Sequence, residues 1–189
     1  MALIKYPERN VEIKENPMKK NQWLSVFAML TVLTIACVPQ VSTVPLQQPF
    51  DKAQADRLLR PGNNTIKVNA FLRQAGGGVV TCAGEEVGLV PATEMAKERI
   101  TALYGSVNGG YRDIHAGNIK FENADPAYIV TQKTALCSSD GRVIFEKVTN
   151  GDFYIVTRVI WMVQVAQGGT LAKLISVKGG ETKDVVLSN

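Results

Sequence analysis

Residues 140–153 read DGRVIFEKVTNGDF. Val143 and Phe145, and beyond them Phe153 and Ile155, stand at alternate positions, which turns large apolar side chains to one face of an extended chain. Asp140-Gly141 and Asn150-Gly151 are turn dipeptides, because Asp, Asn and Gly accept positive φ. The stretch therefore predicts a strand between two tight turns, with a second strand following.

Working outward, the same signals recur. Downstream come DFYIVTRVIWMVQV (152–165), TLAKLISVK (170–178) and TKDVVLS (182–188), with turns expected at Gly168-Gly169 and Gly179-Gly180. Upstream, 127–137 (AYIVTQKTALC) reads as a strand, and Thr65 to Leu72 alternates Ile66, Val68, Ala70 and Leu72 on one face. Short strands are expected at 79–82 and 86–90. A short helix is expected over 50–60, stopped by Pro61-Gly62, and a helical turn or two over 93–104 with Met95, Ile100 and Leu103 as its apolar side. Residues 105–126 read as a long irregular loop, the kind of segment that is usually functional or mobile. Trp161 and Tyr154, flanked by Val, Ile and Met, are expected in the core and not as exposed sugar-stacking platforms. Many short strands with regular turns predict an all-β sandwich over residues 63–189.

Two stretches carry a family resemblance. Ala83-Gly84-Glu85-Glu86-Val87-Gly88-Leu89 resembles the A-G-x-x-V-x-L strand of carboxypeptidase regulatory-like, transthyretin-related sandwiches. Residues 140–153 resemble their D-G-x-F-x-F-x-x-V-P-x-G-x-Y hairpin, with Val143 in place of the aromatic and Thr149 in place of the proline. The resemblance spans about Thr65 to Ser188. It implies a Greek-key, transthyretin-like sandwich and implies no activity, because one fold hosts many functions.

The N-terminal part is organised differently. From Met18 the chain reads MKKNQWLSVFAMLTVLTIAC: two lysines, an apolar core from Leu24 to Ile35, a small residue and Cys37. This is signal-peptide anatomy, and an apolar run of about 12 residues is short of the ~20 that span a bilayer, so a transmembrane anchor is the weaker reading. Residues 1–17 are polar and charged, which suits an upstream extension or a start at Met18. Leu33 to Cys37 resembles the bacterial lipobox, with Ala36 before the cysteine and Thr34 where Leu is usual. The resemblance implies a signal peptide over 18–36 and a lipidated Cys37 as the first mature residue, held to a membrane by acyl chains. A plain signal peptide that happens to contain a cysteine is the competing reading. Val38, and not Asp, follows Cys37, which implies an outer-membrane lipoprotein facing the periplasm. Residues 37–49, with Pro39, Pro45 and Pro49 and no charge after Cys37, read as a flexible tether.

Composition narrows the function classes. The net charge is +4, yet from Val38 onward 16 basic residues face 14 acidic ones, too even a balance to predict nucleic acid as a partner. In an exported chain Cys82 and Cys137 can pair, closing a loop of about 56 residues worth roughly 4 kcal/mol in the chain-entropy model; two buried free thiols are the alternative. Two isolated cysteines and a single histidine lack metal-ligand spacing, so no metal and no cofactor is expected. The single histidine, His115, has no activated serine or cysteine context. Glu85 and Glu86, adjacent on a strand, point to opposite faces and cannot share a proton. Asn63-Asn64-Thr65 matches a glycosylation sequon but reads as a turn.

These observations predict a non-catalytic, lipid-anchored envelope protein with a structural or protein-binding role and an unidentified envelope protein as partner. A small-ligand or glycan-binding module is the alternative, with Tyr104, Tyr111, Arg112 and His115 around the 105–126 loop as its candidate binding residues.

Overall fold

The turn–strand–turn pattern of residues 140–153 is realised in the computed structural model, which describes residues 41–189, as β8 (Arg142–Val148) and the long β9 (Gly151–Met162). In chain order the elements are β1 (Val41–Pro45), α1 (Lys52–Leu58), β2 (Pro61–Arg73), β3 (Val79–Thr81), β4 (Glu86–Pro91), α2 (Glu94–Tyr104), β5 (Gly109–Asp113), β6 (Asn118–Glu122), α3 (Ala127–Val130), β7 (Lys133–Leu136), β8, β9, β10 (Ala166–Val177) and β11 (Thr182–Leu187). The expected features at 1–17 and 18–36, Cys37 and the start of the tether lie outside the described residues. Among the described residues no helix is long and apolar enough to cross a membrane.

The fold is an all-β sandwich of two sheets. One has the order β5-β10-β9-β4-β7; in the other, β2 pairs in parallel with β11 and antiparallel with β3 and β8. Ala70 donates to Gly141 O and accepts from Cys82 N–H, so β8 and β3 share one edge of β2 in tandem. Period-two alternation sends Ile66, Val68, Leu72, Val143, Phe145, Phe153, Ile155 and Leu171 between the sheets, where each is almost fully buried. Burying each such side chain is worth about 1.5–3 kcal/mol. Cys82 and Cys137 are disulfide-bonded with Cα atoms 5.8 Å apart; the bond ties the end of β3 to the end of β7 and so links the two sheets.

A second, smaller cluster forms on the outer face of the five-stranded sheet. There α2 begins at Thr93, whose hydroxyl accepts Ala96 N–H at 3.3 Å, and ends at Gly105 with φ 72°, a left-handed cap that glycine adopts without Cβ strain. Its Ala96 and Ile100 cover Val90, Ala92, Tyr154 and Ala172. Tyr154 is thus fully buried, but under the helix and not between the sheets.

The structure corrects five expectations. Asn63-Asn64-Thr65 is not a turn: it lies within β2, with the Asn64 side chain fully buried. Residues 41–45 are not free tether: β1 pairs in parallel with β6, and the N–H groups of Gln47 and Gln48 bond the Glu98 carboxylate at 2.8–3.1 Å. Residues 105–126 are not an irregular loop: β5 is an edge strand on β10, and β6 is held by β1. The start of the 127–137 stretch is one helical turn, because Asp125 Oδ1 caps Ala127 N–H at 2.8 Å and Tyr128 packs under α2. Gly168-Gly169 lie inside β10, and the turn falls at 163–165. A Cβ at Gly168 would strike the Val159 carbonyl and the Trp161 ring, and one at Gly169 the Arg112 carbonyl and the Tyr111 ring; these glycines serve close packing.

Candidate functional site

The outer face of the five-stranded sheet is only half covered. Where α2 stops, side chains of β4, β7, β9 and β10 leave an open groove of about 520 Å³, within the size range of small-ligand sites. Its position follows from register. Gly88 of β4 is flanked by Thr134 on β7 and Val156 on β9, and Arg158 of β9 lies opposite Thr170 of β10. Gly88 and Val156 make a low floor, and Gln132, Thr134, Glu86, Arg158 and Thr170 rise around it.

One rim is built by the turn between β3 and β4. Gly84 N–H donates to Cys137 O, Glu85 N–H to Cys82 O and Cys137 N–H to Glu85 O, at 2.8–3.1 Å, with the disulfide closing the same junction. This bracing presents the Glu85 carboxylate to the guanidinium of Arg158, and the two form an ion pair. Thr157 Oγ1 donates to Glu86 O at 3.0 Å and holds the start of β4 against β9. The groove therefore offers guanidinium and amide donors, carboxylate acceptors and hydroxyls that do both. Such a surface suits a ligand carrying many hydroxyl groups.

The four residues expected around the 105–126 loop gather at the β5 edge. Arg112 donates to the carbonyls of Leu103, Ala116 and Gly117 at 2.8–3.0 Å, tying the end of α2 to the turn after β5. The Tyr111 hydroxyl lies 3.0 Å from both Asp113 Oδ2 and Gly168 O, with one proton to share between these two acceptors. Asp113 also accepts His115 N–H at 2.8 Å, and these two bonds hold its carboxyl below the ordinary value. Burial pushes the Tyr111 phenol up, with Asp113 adding to it. His115 Nε2 lies 2.9 Å from Ala166 O. Burial also raises the Tyr104 phenol, against the opposing effects of Thr170 and Arg112; Tyr104 packs against the cluster under α2. The Tyr111 hydroxyl, the terminal nitrogens of Arg112 and the His115 Nε2 all meet the protein's own backbone or Asp113.

Gly88, Gln132, Thr134, Arg158 and Thr170 were not among the expected site residues. The only local signal was a glycine inside a strand, which often marks a bend or a place where a ligand or another backbone comes close. A second depression of about 470 Å³ on the other sheet mixes Ile144 and Val186 with Lys67, Arg142 and Asp184, a solvent-facing strand surface without a braced rim. Among the described residues no group of three or more His, Cys, Asp or Glu comes together to hold a metal ion.

No protein-family model matches the chain, and no curated protein matches it. Among solved structures, the chain is similar to that of a Pseudomonas aeruginosa protein proposed to bind carbohydrate, with a TM-score of 0.63 and 23% identity over 75% of this chain and 99% of that one. At that identity the likeness is one of fold.

Proposed function

We propose that this protein is a non-catalytic carbohydrate-binding module of a bacterial cell envelope, anchored through a lipidated Cys37, and that the groove between Gly84 and Thr170 is its ligand site. The observation that carries the reading is the braced groove: a flat floor at Gly88 ringed by guanidinium, amide, carboxylate and hydroxyl groups. The shared fold with a protein proposed to bind carbohydrate supports it. The order of the two functional expectations is therefore reversed, with glycan binding first and protein binding second. The β8–β9 hairpin, which bears the DGRVIFEKV and GDF stretches, supports the finer assignment to the transthyretin-related sandwiches.

Binding by such a groove needs no chemistry at the ligand. The single histidine lies at the β5–β6 turn, outside the groove lining. The reading is tested by affinity electrophoresis and titration calorimetry against soluble envelope sugars, namely peptidoglycan fragments, lipopolysaccharide core oligosaccharides and exopolysaccharide fragments. Saturable binding to one of these, weakened by Arg158→Ala, is the expected result; no binding to any of them contradicts it.

A further inference from the structure

The turn between β9 and β10 is unlike the other turns of the sandwich. Met162, Val163 and Val165 are 73%, 63% and 56% exposed, and residues 159–172 contain no ionisable side chain. Hairpin turns ordinarily carry Gly, Asn, Asp or Ser; this one carries large apolar groups around Gln164. Ile114, 38% exposed, joins them: its N–H donates to Gly168 O, and the neighbouring His115 ring meets Ala166 O, both at 2.9 Å. The result is an apolar tip at one end of the domain, uncharged along 159–172 and bordered by Asp113 and His115 beside Ile114.

The same end is where the N-terminal chain arrives. The turn 114–117 leads directly into β6, whose first residue, Asn118, pairs with Val41, the first residue of β1. Val41 stands four positions after Cys37, a reach of at most about 14 Å for extended chain. Any membrane that holds the N-terminal segment is therefore close to Ile114 and to the β9–β10 tip. We propose that this end of the sandwich rests on the bilayer, with Met162, Val163, Val165 and Ile114 entering the lipid interface as a second attachment beside the N-terminal anchor. The inference rests on the anchored reading above and not on the identity of the glycan. Trp161, at the root of the tip and packed on the core edge, then lies at headgroup level, where tryptophan is favoured. Two weak attachments together hold a protein far more firmly than either alone.

The test expresses the full sequence with Trp23→Phe, so that Trp161 is the single tryptophan whether or not residues 18–36 are removed. The protein is extracted from membranes and reconstituted in phosphatidylethanolamine–phosphatidylglycerol vesicles whose acyl chains are brominated near the glycerol end. Trp161 emission should be blue-shifted and largely quenched, and Met162→Glu or Val163→Glu should relieve the quenching while flotation with vesicles and thermal unfolding stay unchanged. Protein that floats with its Trp161 unquenched overturns the proposal alone, as does quenching that ignores the added charges; an unquenched tip that captures a protein instead identifies a different occupant. Protein that does not float overturns the anchored reading and this inference with it.

Discussion

Arg158, in the middle of β9, and Glu85, in the turn before β4, form an ion pair across the rim of the groove. Glu85 is only 26% exposed and Arg158 60%, so the pair is half solvated, and its contribution to stability is at the low end, about 0–1 kcal/mol. Its consequence is positional: Glu85 takes only the Nε donor, and Arg158 lines the groove with its other donors left over for a ligand.

Arg158→Ala should leave the melting temperature nearly unchanged and weaken oligosaccharide binding about tenfold or more, the loss of a charge-assisted hydrogen bond. Titration calorimetry and thermal unfolding of the same sample separate the two effects.

Gly88→Ala tests the floor. The backbone there is ordinary, and the new Cβ would crowd the Gln132 side-chain oxygen at 3.0 Å, a group that can move, while Val156 O and Val90 Cγ2 at 3.7 Å are ordinary contacts. Stability should stay within about 0.5 kcal/mol, while the raised floor and displaced Gln132 reduce affinity. Unaltered binding would place the ligand elsewhere.

The disulfide should matter to both properties. Cys82→Ser with Cys137→Ser should cost about 4 kcal/mol under oxidising conditions by the chain-entropy model, and it loosens the turn that presents Glu85. Chemical denaturation gives the first quantity and ligand titration the second.

Asn64 is the polar keystone at the other end. Its amide donates to Val148 O at 2.9 Å and Asn150 Oδ1 at 3.0 Å and accepts from the N–H groups of Gly180 and Glu181 at 2.8 and 3.0 Å, all within a fully buried side chain. Asn64→Ala strands those partners and should cost about 3 kcal/mol, read by denaturant unfolding, without affecting binding.

Burial under α2 pushes the Tyr154 phenol up from 10.0 to about 12, with the nearby charges of Tyr128, Glu94 and Asp152 adding to it. The folded state thus keeps a proton that the unfolded chain releases. The associated stability is whole below about pH 10 and is lost progressively as pH rises towards 12. Tyr154→Phe should flatten that alkaline decline in a series of unfolding curves, although it also removes the bond to Val107 O at 2.7 Å.

What the sequence disclosed and what it hid have a common cause. The β8–β9 hairpin is legible because its alternation and its turn dipeptides are local. β1 and β6 are not: β6 alternates but over only five residues, β1 does not alternate, and each is a strand only through the other, more than seventy residues away. Gly168-Gly169 looked like a turn since the ring of Trp161 and the backbone of β5, which exclude a Cβ there, arrive from other strands. The groove was hidden for the same reason. Its residues come from the solvent faces of four strands and from two connections, the β3–β4 turn and the link before β7, where single polar positions look like ordinary surface, and Glu85 reads as a solvated charge until Arg158 is beside it.

The central claim is tested most directly by titrating the purified protein with the envelope oligosaccharide retained in affinity electrophoresis, wild type beside Arg158→Ala and Gly88→Ala. The account predicts saturable binding by the wild type and weaker binding by both variants at unchanged stability. Binding that is equal in all three proteins, or absent from the wild type, would contradict it.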